Sequence, residues 1–262
     1  SQASSVGATV CGRAVPSKWT MSGSAAVVNR PVTPQRLYRS LRDQLGSIRG
    51  VYLRSNRIVR SDDLSAHPQN VLLLHGFFQT RNVWEVMEDR LRYDGFGVFS
   101  FDLGGLLWHF NTRSIATLSG VIADKLDALC THHGIEKFHI IGHSKGGLIA
   151  RHYIQHHGGD QRVQSLITLG TPHTGTLTAA IGVGLMMGGL LSRSPLEMLP
   201  RSRLIRGLDQ SPWPENVPLV SIFSAHDLVC PARSARLHPA PHQQSMTNEV
   251  VRGIGHTALT HD

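Results

Sequence analysis

The chain is poor in several features that would each have set its class. Cysteine occurs only at Cys11, Cys130 and Cys230 in 262 residues. That is too few and too scattered for a disulfide framework or a thiolate zinc site, and a single bridge is all that stays open. Charged residues make up 17% against 40% hydrophobic ones, which excludes a solvated coil. Long apolar runs are missing as well: the best stretch, Leu177 to Leu191, is too short and too rich in glycine to span a bilayer. What remains is a globular protein, long enough for one large α/β domain or two small ones.

Acidic residues are also scarce, 18 against 26 Lys and Arg, and the imbalance is local. Before Val71 ten basic residues face three acidic ones, so nearly all of the net charge of +8 belongs to the N-terminal part. Residues 1–32 show no period and read as irregular. Thr33 and Pro34 make a helix start, and Leu37, Leu41, Leu45 and Ile48 then recur at helical spacing until Gly50. Arg36, Arg39 and Arg42 fall mostly off that stripe. An amphipathic helix packed on the main domain is expected, with a membrane-surface helix as the alternative. Residues 1–69 thus form a basic extension for which an anionic membrane or lipid interface is a candidate partner; nucleic acid is not expected. The chain begins at Ser1 rather than Met, which leaves room for a removed targeting peptide and the compartment open, secreted or cytoplasmic and membrane-peripheral.

From Val71 onward short apolar runs alternate with helical segments. The runs are Val71–Leu74, Val98–Phe101, Phe138–Ile141, Leu166–Leu169, Leu219–Phe223 and Glu249–Arg252; the helical segments are Val83–Tyr93, Ile115–Leu129 and Gly146–His156. Strands that are apolar throughout suit a parallel sheet covered on both faces, with the helices as crossovers. Residues 70–262 are therefore expected to form a doubly wound, mostly parallel α/β domain.

The stretch FHIIGHSKGGLIA, Phe138 to Ala150, reads as buried strand, then Gly142-His143-Ser144-Lys145-Gly146, then helix. A nucleophile elbow needs that order, because the serine sits on a strained turn whose neighbours two residues away must be small. A serine hydroxyl is a weak nucleophile, so it needs a base, and the base needs a third group to fix its tautomer. In this architecture the partners follow as acid, then histidine. Asp227 follows the run PLVSIF directly, and His256 follows Glu249–Arg252 in GIGHTAL. Asp209 is the competing acid but reads as lying in a loop, and Asp102 precedes the serine. His132, His133, His156 and His157 lie at probable helix ends, where dipole compensation suffices as a role.

Developing negative charge on a carbonyl oxygen calls for backbone donors. The N–H of Lys145 is one candidate and that of Phe77, in the HGFF loop after the first strand, is the other; Gly76 is read as structural. The Lys145 side chain is read as a solvated lysine on the first turn of the helix. His75, Phe78 and His143, which flank these motifs, are candidate substrate contacts, as are Leu177, Leu185 and Met186. These last three belong to an insertion, residues 175–215, that leaves the sheet at its carboxyl edge and is expected to form a mobile cap; a buried core helix is the alternative.

VLLLHGFFQ, IIGHSKGGLIAR, LITLGTPHTGT, SIFSAHDLV and GIGHTAL resemble, in the same order, the motifs of bacterial triacylglycerol lipases and esterases of the α/β-hydrolase superfamily. The resemblance covers roughly Asn70 to the C-terminus. It implies an α/β-hydrolase fold with a helical cap, hydrolysis of small-molecule or lipid esters without a cofactor, Ser144, Asp227 and His256 as the triad, and Phe77 and Lys145 as oxyanion donors. Such lipases usually continue with a helix after the histidine loop, whereas this chain stops at Asp262. Some relatives hold a structural calcium, but no tight cluster of acids is visible, and no metal is expected. An acyltransferase or lipid deacylase would use the same triad. A catalytically silent binding protein would be expected to have lost a triad member, and none is lost.

Overall fold

The computed structural model describes residues 63–104, 111–241 and 243–261. Cys11, the irregular segment 1–32, the helix expected from Thr33 and nearly all of the basic extension lie outside the described residues. Six strands form one sheet in the order β2-β1-β3-β4-β5-β6: β1 Asn70–Leu74, β2 Gly97–Ser100, β3 Phe138–His143, β4 Val163–Leu169, β5 Leu219–Ser224 and β6 Met246–Val251. Each neighbouring pair is parallel, so every connection must cross a face of the sheet. Helices α1 Glu85–Tyr93, α2 Ile115–His133 and α3 Lys145–His156 supply the early crossovers. Between β4 and β5 lie α4 Ala179–Leu185, α5 Ser194–Glu197 and α6 Arg203–Gln210.

The apolar runs become strands because both faces of the sheet are covered. β1 is buried at every position, and its successive side chains enter opposite cores. Leu72 and Leu74 join Phe138, Ile140, Leu148 and Leu166 on one side. Val71 and Leu73 join Trp84, Val98, Ile141 and Leu259 on the other. β6 departs from this rule: none of its residues is fully buried, and among the described residues it pairs on one side only.

Helix α2 shows how local signals set an element. The Ser114 hydroxyl accepts from the Thr117 N–H at 3.1 Å, and Gly134, at φ 65°, ends the helix in the left-handed conformation. Between them Ile115, Leu118, Ile122, Leu126 and Cys130 form the buried stripe. Cys130 and Cys230 are buried free thiols. No helix among the described residues is long and apolar enough to cross a membrane.

Candidate active site

β3 delivers the chain to Ser144, and α3 begins at the next residue. Ser144 has φ 53° and ψ −121°, a conformation that costs a residue with a side chain on the order of 1–3 kcal/mol and persists only when its surroundings enforce it. Here its N–H donates to the Leu169 carbonyl at 2.9 Å, and its carbonyl accepts from the Gly147 N–H at 3.1 Å and the Thr171 hydroxyl at 2.9 Å. The flanking glycines are steric necessities: a Cβ on Gly146 would overlap the Leu74 carbonyl, and one on Gly142 would lie 2.7 Å from the Gly147 backbone. In the stretch 141–150 only Ser144 is less than fully buried.

The acid and the histidine come from the loops after β5 and β6. The Val229 and Cys230 N–H groups both donate to Asp227 Oδ1 at 2.8 Å, which turns Oδ2 toward His256. His256 Nδ1 lies 2.6 Å from that oxygen. A carboxylate can only accept here, so Nδ1 carries the proton and Nε2 keeps its lone pair. The pair sits over the end of β4, where a Cβ on Gly170 would lie 3.1 Å from His256 Nδ1 and 3.2 Å from Asp227 Oδ2. Gly170 directly follows Leu169, whose carbonyl holds the Ser144 N–H, so serine and pair share one strand end. His143 Nε2 reaches the His256 carbonyl at 3.0 Å, while its Nδ1 lies 2.9 Å from Gln79 Oε1.

The loop after β1 provides the facing wall. Gln79 Oε1 accepts from the Gly76 N–H at 2.8 Å, and the Phe78 N–H donates to the Asn111 carbonyl at 3.4 Å. Neither the Phe77 nor the Lys145 N–H hydrogen-bonds to any described residue.

Several expected residues are placed otherwise than the sequence suggests. Lys145 is not solvated: its side chain is fully buried, with the ammonium on Asn111 and Arg113. Burial pulls its pKa well below the usual lysine value. His75 and His143, expected to touch substrate, are fully buried and back the site from inside; burial lowers the pKa of His75 to about 4 and that of His143 well below its ordinary value. Met186 is buried, whereas Leu177 and Leu185 are 65% and 71% exposed and Phe78 is half-buried. Asp209 lies on α6 rather than in a loop, 3.7 Å from the buried Arg151 guanidinium. Asp102 accepts from the Gly104 N–H at 3.2 Å and faces solvent. His132, His133 and His156 do close helices. No local pattern points to Asn111 or Thr171, because their contacts are tertiary; Gln79, three residues after Gly76, carries a weak local signal. No group of three or more metal-ligating side chains able to hold an ion occurs among the described residues.

An all-parallel sheet that presents a serine on a strained strand-to-helix turn, with acid and histidine on later strand ends, defines the α/β-hydrolase class. The model of the alpha/beta hydrolase fold family matches residues 69–193, and the chain has the α/β-hydrolase fold. Similar solved structures include a mature lipase from Bacillus licheniformis, at 16% identity and a TM-score of 0.59 over 78% of this chain and 90% of that one. A monoacylglycerol lipase from Paleococcus ferrophilus matches at 17% identity and 0.51 over 73% and 88%. The RedJ thioesterase of Streptomyces coelicolor matches at 19% and 0.51 over 81% and 93%. No curated protein sequence matches.

Proposed function

We propose that the protein is a serine carboxylic ester hydrolase, a lipase or esterase acting on lipid acyl esters. The observation that carries this reading is the 2.6 Å contact of His256 with Asp227 over the strand end that also holds strained Ser144. In this reading the Ser144 oxygen attacks the ester carbon while His256 Nε2 takes its proton. The carbonyl oxygen becomes an oxyanion between the N–H groups of Phe77 and Lys145, at the positive end of α3. Collapse breaks the ester bond, and His256 returns the proton to the departing alcohol. A water deprotonated by His256 then attacks the acyl-enzyme, releasing the acid and restoring Ser144. Asp227 fixes the imidazole tautomer throughout.

The relatives named above as lipases and a thioesterase support acyl transfer to water. The insertion supports a lipid-like acyl group. Ile181, Leu185, Met187 and Leu190 are exposed together with Leu177, and contiguous exposed apolar surface beside a site is where apolar ligands bind. Within α4 only Ala179 is fully buried, which favours the cap over the core helix. Gly182 brings α4 close to Phe77, since a Cβ there would lie 3.6 Å from its ring. The test is hydrolysis of nitrophenyl esters of increasing chain length, with fluorophosphonate labelling at Ser144. Turnover and label that both vanish in Ser144→Ala are expected; labelling at another residue, or turnover unchanged in that variant, would sink the proposal.

A further inference from the structure

Burying an ammonium is costly unless every proton finds an acceptor, so the Lys145 side chain needs a reason. It has three acceptors: Asn111 Oδ1 at 2.7 Å, the Asn111 carbonyl at 3.2 Å and the Arg113 carbonyl at 2.5 Å. Three oxygens around the nitrogen offer one acceptor for each proton of the ammonium form, so the side chain is fixed by its contacts.

Asn111 passes this anchorage on. Its Nδ2 donates to the His75 carbonyl at 2.9 Å, its own N–H to the Gln79 carbonyl at 3.3 Å, and its carbonyl accepts from the Phe78 N–H. These contacts grip the loop on both sides of Phe77 and, among the described residues, leave the Phe77 N–H without an acceptor. The loop needs such a grip, because Phe78 stands at φ 56°, where a residue with a side chain is strained. The Phe77 ring closes the arrangement, with its centroid 5.8 Å from the Lys145 ammonium.

The geometry points to Lys145 as a positioning residue: through Asn111 its ammonium sets the Phe77 N–H toward the oxyanion that the Lys145 backbone N–H also meets. One residue thus serves both donors, directly by its backbone and indirectly by its side chain. The inference rests on the serine hydrolase reading above. It differs from a general structural role in what it predicts, because a displaced oxyanion donor harms the transition state and leaves ground-state binding alone.

The experiment uses a short nitrophenyl ester, with active sites counted by fluorophosphonate titration. Lys145→Met removes the ammonium at similar length. Asn111→Asp keeps an acceptor for Lys145 but removes the donor to His75, and it serves if the lysine variant fails to fold. Each variant is expected to lose about 10- to 100-fold in kcat per titrated site, since one oxyanion donor is worth roughly 10²–10³ and a displaced one loses part of that. KM should stay within about twofold. Affinity for a boronate that mimics the tetrahedral intermediate should fall in step with kcat/KM, and the double variant should lose little more than either single one. A kcat per titrated site within about twofold of the parent in Asn111→Asp, even with a lowered Tm, would overturn the clamp and leave the hydrolase reading standing. Parent protein that neither hydrolyses the ester nor labels at Ser144 would overturn both.

Discussion

The carboxyl edge of the sheet and the insertion between β4 and β5 meet at Phe77, yet they are built by opposite rules. At the sheet edge several polar groups are buried among partners: Asp227 accepts on both oxygens, His143 lies within hydrogen-bonding distance of Gln79 and the His256 carbonyl, and the Lys145 side chain meets three oxygens. In residues 177–191 large apolar side chains face water, and Gly182, Gly184, Gly188 and Gly189 loosen the backbone between them. The insertion changes character at Ser192, whose hydroxyl donates to the Thr112 carbonyl. Beyond it Glu197 accepts from the Ile115 N–H at 2.6 Å, and Asp209 pairs with Arg151. Polar contacts are concentrated where, in the proposed reaction, charge would develop, and glycine-broken apolar surface where the proposed acyl chain would lie.

The comparison breaks most severely at the sheet edge. Ser144→Ala and His256→Ala should each lower kcat by about 10⁶-fold, and the double variant little further, because such groups act as one unit. Unchanged thermal melts would show that the loss is chemical. Asp227→Asn should cost about 10⁴ in kcat by favouring the wrong tautomer. Asp209→Asn should leave kcat near the parent value and lower Tm, since it leaves the buried Arg151 without its charge partner; the reverse ranking would show that the acid is Asp209.

Acid should attack two histidines of the main body, His75 behind the site and half-buried His152 between α2 and α3, before the insertion. His75 and His152 are held near pKa 4, first by burial, against an ordinary 6.5. The unfolded chain therefore binds their protons first, so their contribution to stability is complete above pH 6.5 and is lost as pH falls toward 4. His75 contributes a slope of up to about 1.4 kcal/mol per pH unit in that window, and the half-buried, solvent-screened His152 less. Glu88, raised by burial to about 7, opposes with one proton between 4.5 and 7. His152→Gln keeps a partner for Ser119 and should flatten the fall measured by denaturant melts from pH 7 to pH 4.5; an unchanged slope would place the acid sensitivity elsewhere.

The smallest effect belongs to the insertion. Leu185→Asp should lower kcat/KM on long-chain esters by about 10-fold, an estimate from losing apolar contact worth one to two kcal/mol. Short soluble esters should be unaffected. Equal losses on both would remove the distinction between the two regions.

Much of this organisation was legible in the sequence, for physical reasons that particular residues make plain. The run at Val71–Leu74 became a strand because a sheet covered on both faces needs side chains that are apolar on both. Gly142 and Gly146 marked the elbow because close backbone approach leaves them no alternative. Asp209 was misplaced because Gly207 and Pro212 imitate a loop, while Ser202 caps a helix whose buried face is only Ile205 and Leu208. Lys145 was misread because nothing local announces Asn111, 34 residues away. A charge is called solvated by default until tertiary structure supplies its acceptors.

The half-buried edge strand β6 sets how the molecule should fail. An edge strand with no fully buried residue opens at a lower free energy than the strands around it, and the loop that follows β6 carries His256. Local fraying there would separate His256 from Asp227 while β1, β3 and the strained turn at Ser144 stayed folded. Hydrogen exchange should therefore find the amides of Met246–Val251 exchanging ahead of those in β3. During gradual heating, activity would disappear at a temperature where the circular dichroism of the sheet is still native.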